Sequence, residues 1–415
     1  MSLAVIGAVL DGEPVGLRAE DGVIAELGPS VSAGAGDRVI EAAGLVLCPP
    51  MVNGHTHAAM TLFRGYGDDM PLMEWLRTKI WPAEARLEPD DVYWGTRLAC
   101  VEMIRSGTSR FFDMYWYGPE VARAVVDSGL RATVSTVLID QLDPARGKEL
   151  RAGALESLDR VGEAGARVVP SLGPHAIYSV SPESLAWIAE LGAEREIPIQ
   201  IHMSETEQEV EDCLRAQGVR PARYLDGLGF LGPRTLLAHG VWVDRDELEL
   251  ISGRGATIVT NPVANMKLAV GAELSYPEAV RAGVALGLGT DGVSSNSNLD
   301  MFEEVKFLAL KQKHATRDPS VLPAGDALAI ARGLRSPVIG GTPLAVGEPA
   351  DFLLLRGSDP ELSVGDRDAD LVYAASGSVV DTTVVDGEIL MRDRVVADAD
   401  EIVAEVRSRA ARLTA

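Results

Sequence analysis

The chain has few cysteines for its length. Cys48, Cys100 and Cys213 are its only three among 415 residues. An odd number of cysteines at such wide spacing excludes a disulfide framework and a CxxC zinc knuckle, and it favours a reducing compartment. We therefore expect a cytoplasmic protein.

Positive charge and long apolar runs are also scarce. The 38 Lys and Arg residues are outnumbered by 61 Asp and Glu residues, so the net charge is −23. A surface this acidic argues against nucleic acid or an anionic membrane as a partner. No stretch reaches the ~18 uninterrupted apolar residues of a membrane span, and no basic segment precedes the apolar stretch within Met1–Leu10. We expect neither membrane insertion nor secretion.

The composition is that of a folded protein. Apolar residues make up 47% of the chain and charged residues 24%, close to the globular average. At the usual ~100 to 200 residues per domain, this length predicts a large domain with a smaller one, or two of equal size.

Short β-type runs broken by Asp-Gly pairs occupy both ends of the chain. LAVIGAVLDG and VGLRAEDGVIAELG open it, and similar runs recur at Ala350–Leu355, Leu371–Ala374 and Val379–Leu390. Asp-Gly between such runs is typical of β-hairpins. We predict that residues 1–48 and 344–415 form one small β-sandwich domain, completed by a helix over Ala399–Leu413. Two unrelated β extensions are the alternative.

Residues 49–343 show a different pattern, in which short apolar strands alternate with helical segments. We count eight such units, with the strands LVLCPPMVNGH, TSRFFDM, RATVSTVLID, RVVPSLGPH, PIQIHMSE, TLLAHGV, TIVTNP and VALGLGTD. The pattern and its length predict an α/β fold of the (β/α)8 TIM-barrel type. A doubly wound open sheet is the alternative, but its first strand normally leads into a glycine-rich phosphate loop. Here that place holds Asn-Gly-His-Thr-His.

The histidines share one position in this pattern. Five of the six follow a predicted strand: His55, His57, His175, His202 and His239. His314 is the exception. In a (β/α)8 barrel the carboxyl ends of the strands open onto one end, where active sites are built. Structural histidines, the alternative, would be scattered among helices and loops.

A metal site is the function that these residue types favour. His55 and His57 lie two apart on a strand, so their imidazoles project to the same side. His202 ends the fifth strand, and Asp291 ends the eighth. Three neutral imidazoles with one carboxylate suit Zn²⁺ or Fe²⁺ and leave a position for water. Asp291 also lies in a Thr-Asp-Gly turn signal, so capping of the next segment is the alternative.

Glu205 is a candidate general acid or base. It comes three residues after His202, close enough to reach a substrate atom above the metal without binding the metal. The alternative is that Glu205 begins the acidic helix ETEQEVED at its favourable N-terminal end. No lysine occurs between Lys148 and Lys267, so a carboxylated lysine on the fourth strand cannot bridge two metals. We therefore expect one metal.

Longer motifs resemble those of the amidohydrolase superfamily, and especially its 5′-methylthioadenosine/S-adenosylhomocysteine deaminase and chlorohydrolase group. They run along nearly the whole chain: HTHAAMTLFRGYGDDMPLMEWL, IWPAEARL, GPHAIYS, HMSE, AHG, NPVANMKL and TDGVSSNSNLDMFEE. The resemblance implies that one catalytic Zn²⁺, or Fe²⁺ in some relatives, is bound by His55, His57, His202 and Asp291. It also implies catalytic roles for Glu205, His239 and Asp291. His239 would hydrogen-bond to the metal water, Glu205 would protonate a ring nitrogen, and Asp291 would pass a proton to departing ammonia.

The resemblance also implies the substrate-binding residues. It assigns Glu84 to the ribose hydroxyls, His175 to a purine ring nitrogen and Trp75 to an apolar wall. Each has a structural alternative. The alternatives are that Glu84 is a surface charge, that His175 orders a loop and that Trp75 packs within a lid. The predicted loop from Met60 to Trp81 is rich in large apolar residues, which indicates a lid over the pocket.

One position departs from the pattern. Relatives that accept S-adenosylhomocysteine carry an arginine at the end of the third strand, where the segment VSTVLID places Thr136. Arg146, Lys148 and Arg151 in the following loop are candidate replacements. The departure favours a substrate without the amino-acid tail.

The leading hypothesis is metal-dependent hydrolytic deamination of an adenine nucleoside at its 6-amino group. Adenosine, 5′-methylthioadenosine and other 5′-substituted adenosines, including S-adenosylhomocysteine, are the candidate substrates. The alternative is a deaminase or chlorohydrolase for another aromatic heterocycle, such as guanine, a pterin or an s-triazine. Cyclic-amide hydrolysis and a non-catalytic binding barrel are further alternatives. The resemblance also implies a homo-oligomer, since dimers are common among such enzymes.

Overall fold

A computed structural model describes residues 2–415. One of its two sheets is parallel, and strands that are consecutive in the chain are neighbours in this sheet. The eight strands are Met51–His57, Thr108–Tyr115, Arg131–Leu138, Val168–Pro174, Ile199–Met203, Thr235–His239, Thr257–Thr260 and Ala285–Leu288. The chain of the eighth strand continues into Asp291–Gly292, which pairs with the first strand. The sheet therefore closes, and the predicted (β/α)8 barrel is confirmed.

Helices join the barrel strands, and most of them cover the outside of the barrel. They are Pro89–Arg105, Gly118–Ser128, Pro144–Gly162, Pro182–Glu194, Glu207–Gln217, Pro221–Gly227, Arg245–Arg254, Pro262–Lys267, Tyr276–Ala282, Val293–Asn296, Met301–Thr316 and Ala324–Ala331. Side chains that accept first-turn N–H groups begin five of them: Asp143, Ser181, Thr206, Asp244 and Asp300. Four of the helices end at a glycine with positive φ: Gly129, Gly218, Gly255 and Gly283. Local capping chemistry thus defines many of the helix ends.

Both ends of the chain contribute to a second, mixed sheet. Its strands are Ser2–Leu10, Glu13–Glu20, Val23–Gly28, Arg38–Glu41, Leu45–Cys48, Phe352–Arg356, Val380–Val385, Glu388–Arg392 and Val395–Val396. Leu45–Cys48 pairs antiparallel with Phe352–Arg356, which unites the two ends. Ser2–Leu10 pairs with three other strands, so the sheet branches there around an apolar core of its own. The predicted small β domain is confirmed, and the expected sandwich takes the form of one branched sheet.

The run LVLCPPMVNGH is two strands rather than the single strand that we predicted. Leu45–Cys48 belongs to the small β domain, and Met51–His57 belongs to the barrel. Pro49 and Pro50 separate them. Proline has no N–H group to continue a strand ladder, so the chain leaves one sheet at this point and enters the other.

The run Leu371–Ala374 is helical, and its prediction as a strand was wrong. It lies in the π-helix Asp370–Ala374, which buries Leu371 and Val372. A short buried helix and a short buried strand have the same apolar sequence, so periodicity does not separate them. Other short helices near this end are Pro360–Leu362, Arg367–Ala369 and Gly377–Val379.

The predicted closing helix is present as Ala399–Thr414. It packs against the barrel helix Pro89–Arg105, where Arg409 Nη1 donates to Asp91 Oδ1 at 3.1 Å. Leu413 is fully buried in the main apolar core. Across residues 2–415, no helix combines the length and apolar character that crossing a bilayer requires.

Candidate metal and active site

The carboxyl end of the barrel holds a buried cluster of imidazoles and one carboxylate. His55, His202, His239 and Asp291 each offer one ligand atom, and these atoms all lie within 4.8 Å of one another. His57 Nε2 lies 3.2 Å from His202 Nε2 and 3.1 Å from Asp291 Oδ1. The structure therefore brings together the four predicted ligands and adds His239. Clustered nitrogen and carboxylate donors at these distances fit a divalent cation.

Two of these side chains are held by uncommon backbone conformations. His239 ends the sixth strand with φ 72°, and Asp291 follows the eighth with φ 61°. Left-handed backbone is rare for residues other than glycine, and each instance costs about 1–3 kcal/mol, which the surrounding structure has to offset. Strain of this kind at two strand ends is typical of a functional site.

Main-chain oxygens orient two of the imidazoles. His57 Nδ1 lies 2.5 Å from Met114 O, and His202 Nδ1 lies 2.8 Å from His175 O. A carbonyl only accepts, so each Nδ1 carries a proton and each Nε2 faces the cluster. Outer hydrogen bonds of this kind set the tautomer of metal-binding histidines.

Side-chain amides orient the other two imidazoles. His55 Nδ1 lies 3.2 Å from Gln200 Oε1, and His239 Nδ1 lies 2.8 Å from Asn265 Oδ1. Gln200 is itself held, because its Nε2 donates to Asp113 O at 2.9 Å. Our sequence analysis missed both amides. Gln200 lies two residues before His202 and hence on the same side of the strand, a signal that could have identified it.

The charges within the cluster are unevenly distributed. Burial lowers the pKa of His55 to about 4 and that of His202 well below its usual range. Burial also acts to lower the pKa of His57, but the hydrogen bond and charge of Asp291 raise it to about 9. Burial opposes ionisation of Asp291, yet hydrogen bonds to His55 and His57 hold its pKa well below its usual range. Without a cation, His57 and Asp291 form an ion pair among neutral imidazoles.

Asp291 has a further partner that the sequence analysis missed. Ser295 Oγ donates to Asp291 Oδ2 at 2.6 Å, and Ser295 also lines the pocket. This bond leaves Asp291 Oδ1 directed at the imidazoles of His55 and His57, 3.6 and 3.1 Å away.

Glu205 lies beside the cluster. Its Oε2 is 3.9 Å from His239 Nε2. Burial, together with the charge of Asp291, raises the pKa of Glu205 to about 8. A carboxyl that keeps its proton near neutral pH suits an acid catalyst. The alternative that Glu205 begins a helix is wrong, because the helix begins at Glu207 with Thr206 as its N-cap.

A pocket opens above the cluster, and the three predicted substrate-binding residues line it: Trp75, Glu84 and His175. Glu84 Oε1 accepts a hydrogen bond from Tyr115 Oη at 2.7 Å, and burial raises the pKa of Glu84. Burial lowers the pKa of His175 to about 3, so this imidazole is neutral. Trp75 is buried, and its Nε1 donates to Tyr66 O at 3.0 Å.

The stretch from Met60 to Trp81 covers this pocket but is mostly helical rather than a loop. Its helices are Ala58–Phe63, Leu72–Trp75, Leu76–Ile80 and Trp81–Glu84. Pocket-lining residues come from several of them: Met60, Leu72, Trp75, Leu76, Ile80 and Trp81. The apolar residues that suggested a lid therefore form the pocket roof.

Thr136 does not line the pocket, so its expected position there was wrong. Its Oγ1 donates to Ser157 Oγ at 3.3 Å, in the helix Pro144–Gly162 outside the barrel. Successive residues of a strand point to opposite sides, and the pocket is lined by Val137 and Ile139 instead.

Arg146, one of the three candidate replacements for the missing arginine, lines the outer part of the cavity. Its Nη1 donates to Gln141 Oε1 at 3.0 Å. Arg151 Nε donates to Gly147 O at 3.3 Å within its own helix. Neither Lys148 nor Arg151 lines the described cavity.

A closed (β/α)8 barrel with a histidine and aspartate cluster at its carboxyl end is the architecture of a metal-dependent hydrolase. The sequence model of the amidohydrolase family matches residues 46–390. The chain belongs to the amidohydrolase family.

Known relatives cover nearly the whole chain. It is 46% identical over 385 residues to the 5'-deoxyadenosine deaminase of Methanoregula boonei. The alignment covers 92% of this chain and 87% of the relative. It is 43% identical over 407 residues to the 5-methylthioadenosine/S-adenosylhomocysteine deaminase of Pelotomaculum thermopropionicum. This alignment covers 94% of this chain and 92% of the relative. A solved structure of an adenosine deaminase from Xanthomonas campestris with bound zinc has a TM-score of 0.90 at 30% identity, covering 99% and 98% of the two chains.

Proposed function

We propose that this chain is a metal-dependent deaminase that hydrolyses the 6-amino group of an adenine nucleoside and releases ammonia and the inosine analogue. The observation that carries the proposal is the position of Glu205, a carboxyl with a raised pKa that lies 3.9 Å from His239 Nε2 at the edge of the cluster. A metal-binding protein without turnover has no need of an acid at this place. The names of the relatives support the same chemistry.

We propose Zn²⁺ as the metal, held by His55, His57, His202 and Asp291. A bound divalent cation lowers the pKa of a coordinated water molecule from 15.7 to ~7 and so supplies a nucleophile at neutral pH. His239 Nε2 faces the same space, where it would hydrogen-bond to that water. The zinc in the related adenosine deaminase structure supports zinc over iron.

The remaining steps belong to protein side chains. Glu205 donates its proton to a ring nitrogen of the purine, which makes the neighbouring amine-bearing carbon open to attack. Asp291, held by Ser295, would take a proton from the attacking water and pass it to the departing ammonia. His175, which is neutral, binds another ring nitrogen, and Glu84 accepts hydrogen bonds from the ribose hydroxyls. Together these contacts place the amine-bearing carbon above the cluster.

We further propose that the preferred 5′ substituent has no amino-acid tail. Val137 and Ile139 line the pocket with apolar surface, and a carboxylate buried there would need a cation. Arg146 lies in the outer cavity, held by Gln141. Apolar substituents such as a 5′-methyl or methylthio group match this wall.

An ammonia-release assay with metal-reconstituted protein tests the function. The substrates are adenosine, 5′-deoxyadenosine, 5′-methylthioadenosine, S-adenosylhomocysteine, adenine, guanine, a pterin and a chlorinated s-triazine. We expect turnover of nucleosides with small 5′ groups, and a loss of about 10²–10⁴-fold in kcat in Glu205→Gln. Turnover of guanine, pterin or triazine without any nucleoside would replace the proposal by its alternative.

Glu84 separates nucleosides from free bases. A carboxylate that binds vicinal hydroxyls is useful only when a sugar is present, so Glu84→Gln should raise KM for nucleosides and leave that for adenine unchanged. Glu74→Gln, an exposed position on the same roof, is the matched control. An equal increase in KM for nucleosides and for adenine would contradict the role of Glu84.

We also propose a cytoplasmic location. The support is that Cys48, Cys100 and Cys213 are free and buried, which suits a reducing compartment.

A further inference from the structure

Glu209 is a buried glutamate four residues after Glu205. Its side chain is only 5% exposed. Oε1 accepts the N–H of Ser204 at 2.9 Å, and Oε2 accepts the N–H of Glu205 at 2.9 Å. One carboxyl group therefore accepts the N–H groups of the two residues that lead from the fifth barrel strand to the proposed acid.

The place of Glu209 in its helix predicts a different partner. It is the third residue of the helix Glu207–Gln217, and Thr206 Oγ1 accepts its N–H at 3.2 Å. In a capping box, the glutamate at this position accepts the N–H of the N-cap residue itself. Glu209 instead extends past Thr206 to the two residues before it.

An ordinary capping box elsewhere in the barrel makes the difference clear. Glu247 is the third residue of the helix Arg245–Arg254, whose N-cap is Asp244. Glu247 Oε2 accepts the N–H of Asp244 at 3.2 Å, and Asp244 Oδ1 accepts the N–H of Glu247 at 2.9 Å. Glu247 is fully buried, so it matches Glu209 in residue type, helix position and burial. It differs in that it also accepts hydrogen bonds from Arg220 Nε at 2.7 Å and from Ala222 N at 2.9 Å.

The backbone that Glu209 binds is in an uncommon conformation. Ser204 has φ 51°, in the left-handed region that residues other than glycine rarely adopt. Its N–H donates to Glu209, and its carbonyl accepts the N–H of Trp242 at 2.9 Å. The turn at Ser204 ends the strand, and Glu205 directly after it lies at the pocket. An unusual turn persists only where its surroundings hold it in place.

We propose that Glu209 is a positioning residue for Glu205. By accepting both N–H groups it maintains the turn at Ser204 and keeps the Glu205 carboxyl beside His239. This role rests on the proposed function, in which Glu205 is the proton donor. Glu209 lines the outer part of the cavity, whereas the proposed function assigns the purine and ribose to His175 and Glu84. We therefore expect Glu209 to act on turnover and not on substrate binding.

The isosteric variant Glu209→Gln tests the proposal. It keeps one accepting oxygen but sets an NH₂ group against the second backbone N–H. We expect kcat to fall by about 100-fold, the size of loss that a misplacement of about 1 Å produces, while KM and metal content stay as in wild type. Glu247→Gln is the matched control, expected to lower Tm without changing kcat.

A double variant shows whether Glu209 acts through Glu205. If it does, Glu205→Gln/Glu209→Gln has the same kcat as Glu205→Gln alone, because nothing remains to be positioned. A further 100-fold loss in the double variant would overturn the proposal, and so would an unchanged kcat in Glu209→Gln. Should Glu209→Gln fail to fold, Glu209→Asp takes its place, since the shorter carboxylate cannot span both N–H groups.

Amide hydrogen exchange provides a readout that is independent of turnover. The N–H groups of Ser204 and Glu205 should exchange faster in Glu209→Gln than in wild type and stay protected in Glu247→Gln. Unchanged protection in Glu209→Gln would overturn the proposal. If the wild-type protein deaminates no nucleoside, the proposed function fails, and the exchange rates still decide whether Glu209 holds this turn.

Discussion

His57 differs from its neighbours in the cluster by its charge. The carboxylate of Asp291, 3.1 Å from His57 Nε2, raises the pKa of this imidazole to about 9, against about 4 for His55. The two belong to one His-x-His pair, so the difference comes from their surroundings. In metal-free protein at neutral pH, both ring nitrogens of His57 therefore carry a proton. A cation can bind His57 Nε2 only when the proton on that nitrogen leaves.

Zinc binding should consequently release protons. We expect Zn²⁺ to displace about one proton from His57 when it binds chelator-stripped protein near neutral pH. This release should decline as the pH rises through about 9, where His57 is already neutral. Calorimetry in buffers of different ionisation enthalpy measures it. His314→Gln, at an exposed histidine, is the control. A proton release that does not decline above pH 9 would contradict the assignment of His57.

One buried carboxylate joins the closing helix to the barrel. Asp91 accepts hydrogen bonds from Arg409 and Arg412 of the helix Ala399–Thr414. Burial acts to raise the pKa of Asp91, but these hydrogen bonds, with that from Glu88 N, hold it below its usual range. The same helix end meets the segment after Glu84, where Arg86 Nη1 donates to Ala415 O at 3.3 Å. The contact thus supports one wall of the pocket.

Removal of this charge should destabilise the protein. We expect Asp91→Asn to lower the free energy of unfolding at neutral pH by about 1.5–3 kcal/mol, since it weakens two charged hydrogen bonds. Because the folded pKa of Asp91 is depressed, the stabilisation is present above the unfolded pKa of ~3.9 and is lost as the pH falls through the folded value. The difference between wild type and variant should therefore narrow below pH ~4.

Urea denaturation over a pH series measures this effect. Asp90→Asn is the control, because Asp90 is 56% exposed although it pairs with Arg409 at 2.7 Å. Exposed pairs contribute little, so this change should cost about 0.5 kcal/mol or less. Equal losses in the free energy of unfolding in Asp91→Asn and Asp90→Asn would contradict the importance of the buried carboxylate.

The barrel and the small β domain are joined by an ion-pair network at the amino end of the third barrel strand. Arg131 Nε donates to Asp351 Oδ2 at 3.0 Å, and the Asp351 side chain is 1% exposed. Arg131 also pairs with Asp386, which Arg167 Nε binds at 3.1 Å. The proposed active site lies at the opposite, carboxyl end of the strands. The network therefore serves the assembly of the two domains.

Loss of Arg131 should destabilise the whole molecule without altering catalysis. Arg131→Met keeps most of the apolar stem but leaves Asp351 buried without its cation, which should cost about 3–5 kcal/mol in the free energy of unfolding. We expect kcat at 25 °C to be unchanged. Thermal and urea denaturation measure the loss. Arg195→Met is the control, because the Arg195–Asp159 pair is about half exposed on both sides. A drop in kcat would show that the network reaches the site.

Much of the fold and the position of the histidine and aspartate cluster could be predicted because both depend on local pattern. Alternating strands and helices indicated the barrel, and parallel strands bring their carboxyl ends together wherever they lie in the chain. His55, His57, His202, His239 and Asp291 could therefore be placed in one cluster from their positions at strand ends.

Local pattern failed where a partner lies far away in the chain. The side of the third strand on which Thr136 lies depends on such a partner. The hydrogen bonds of Gln200 and Asn265 to imidazoles join residues that are distant in the chain. The opposite pKa shifts of His55 and His57 also depend on distant partners. Strand ends and helix caps depend on neighbouring residues, so the order of units and the place of the site could be deduced from sequence. The orientation and protonation of the side chains in the site depend on distances across the barrel, which only the folded chain defines.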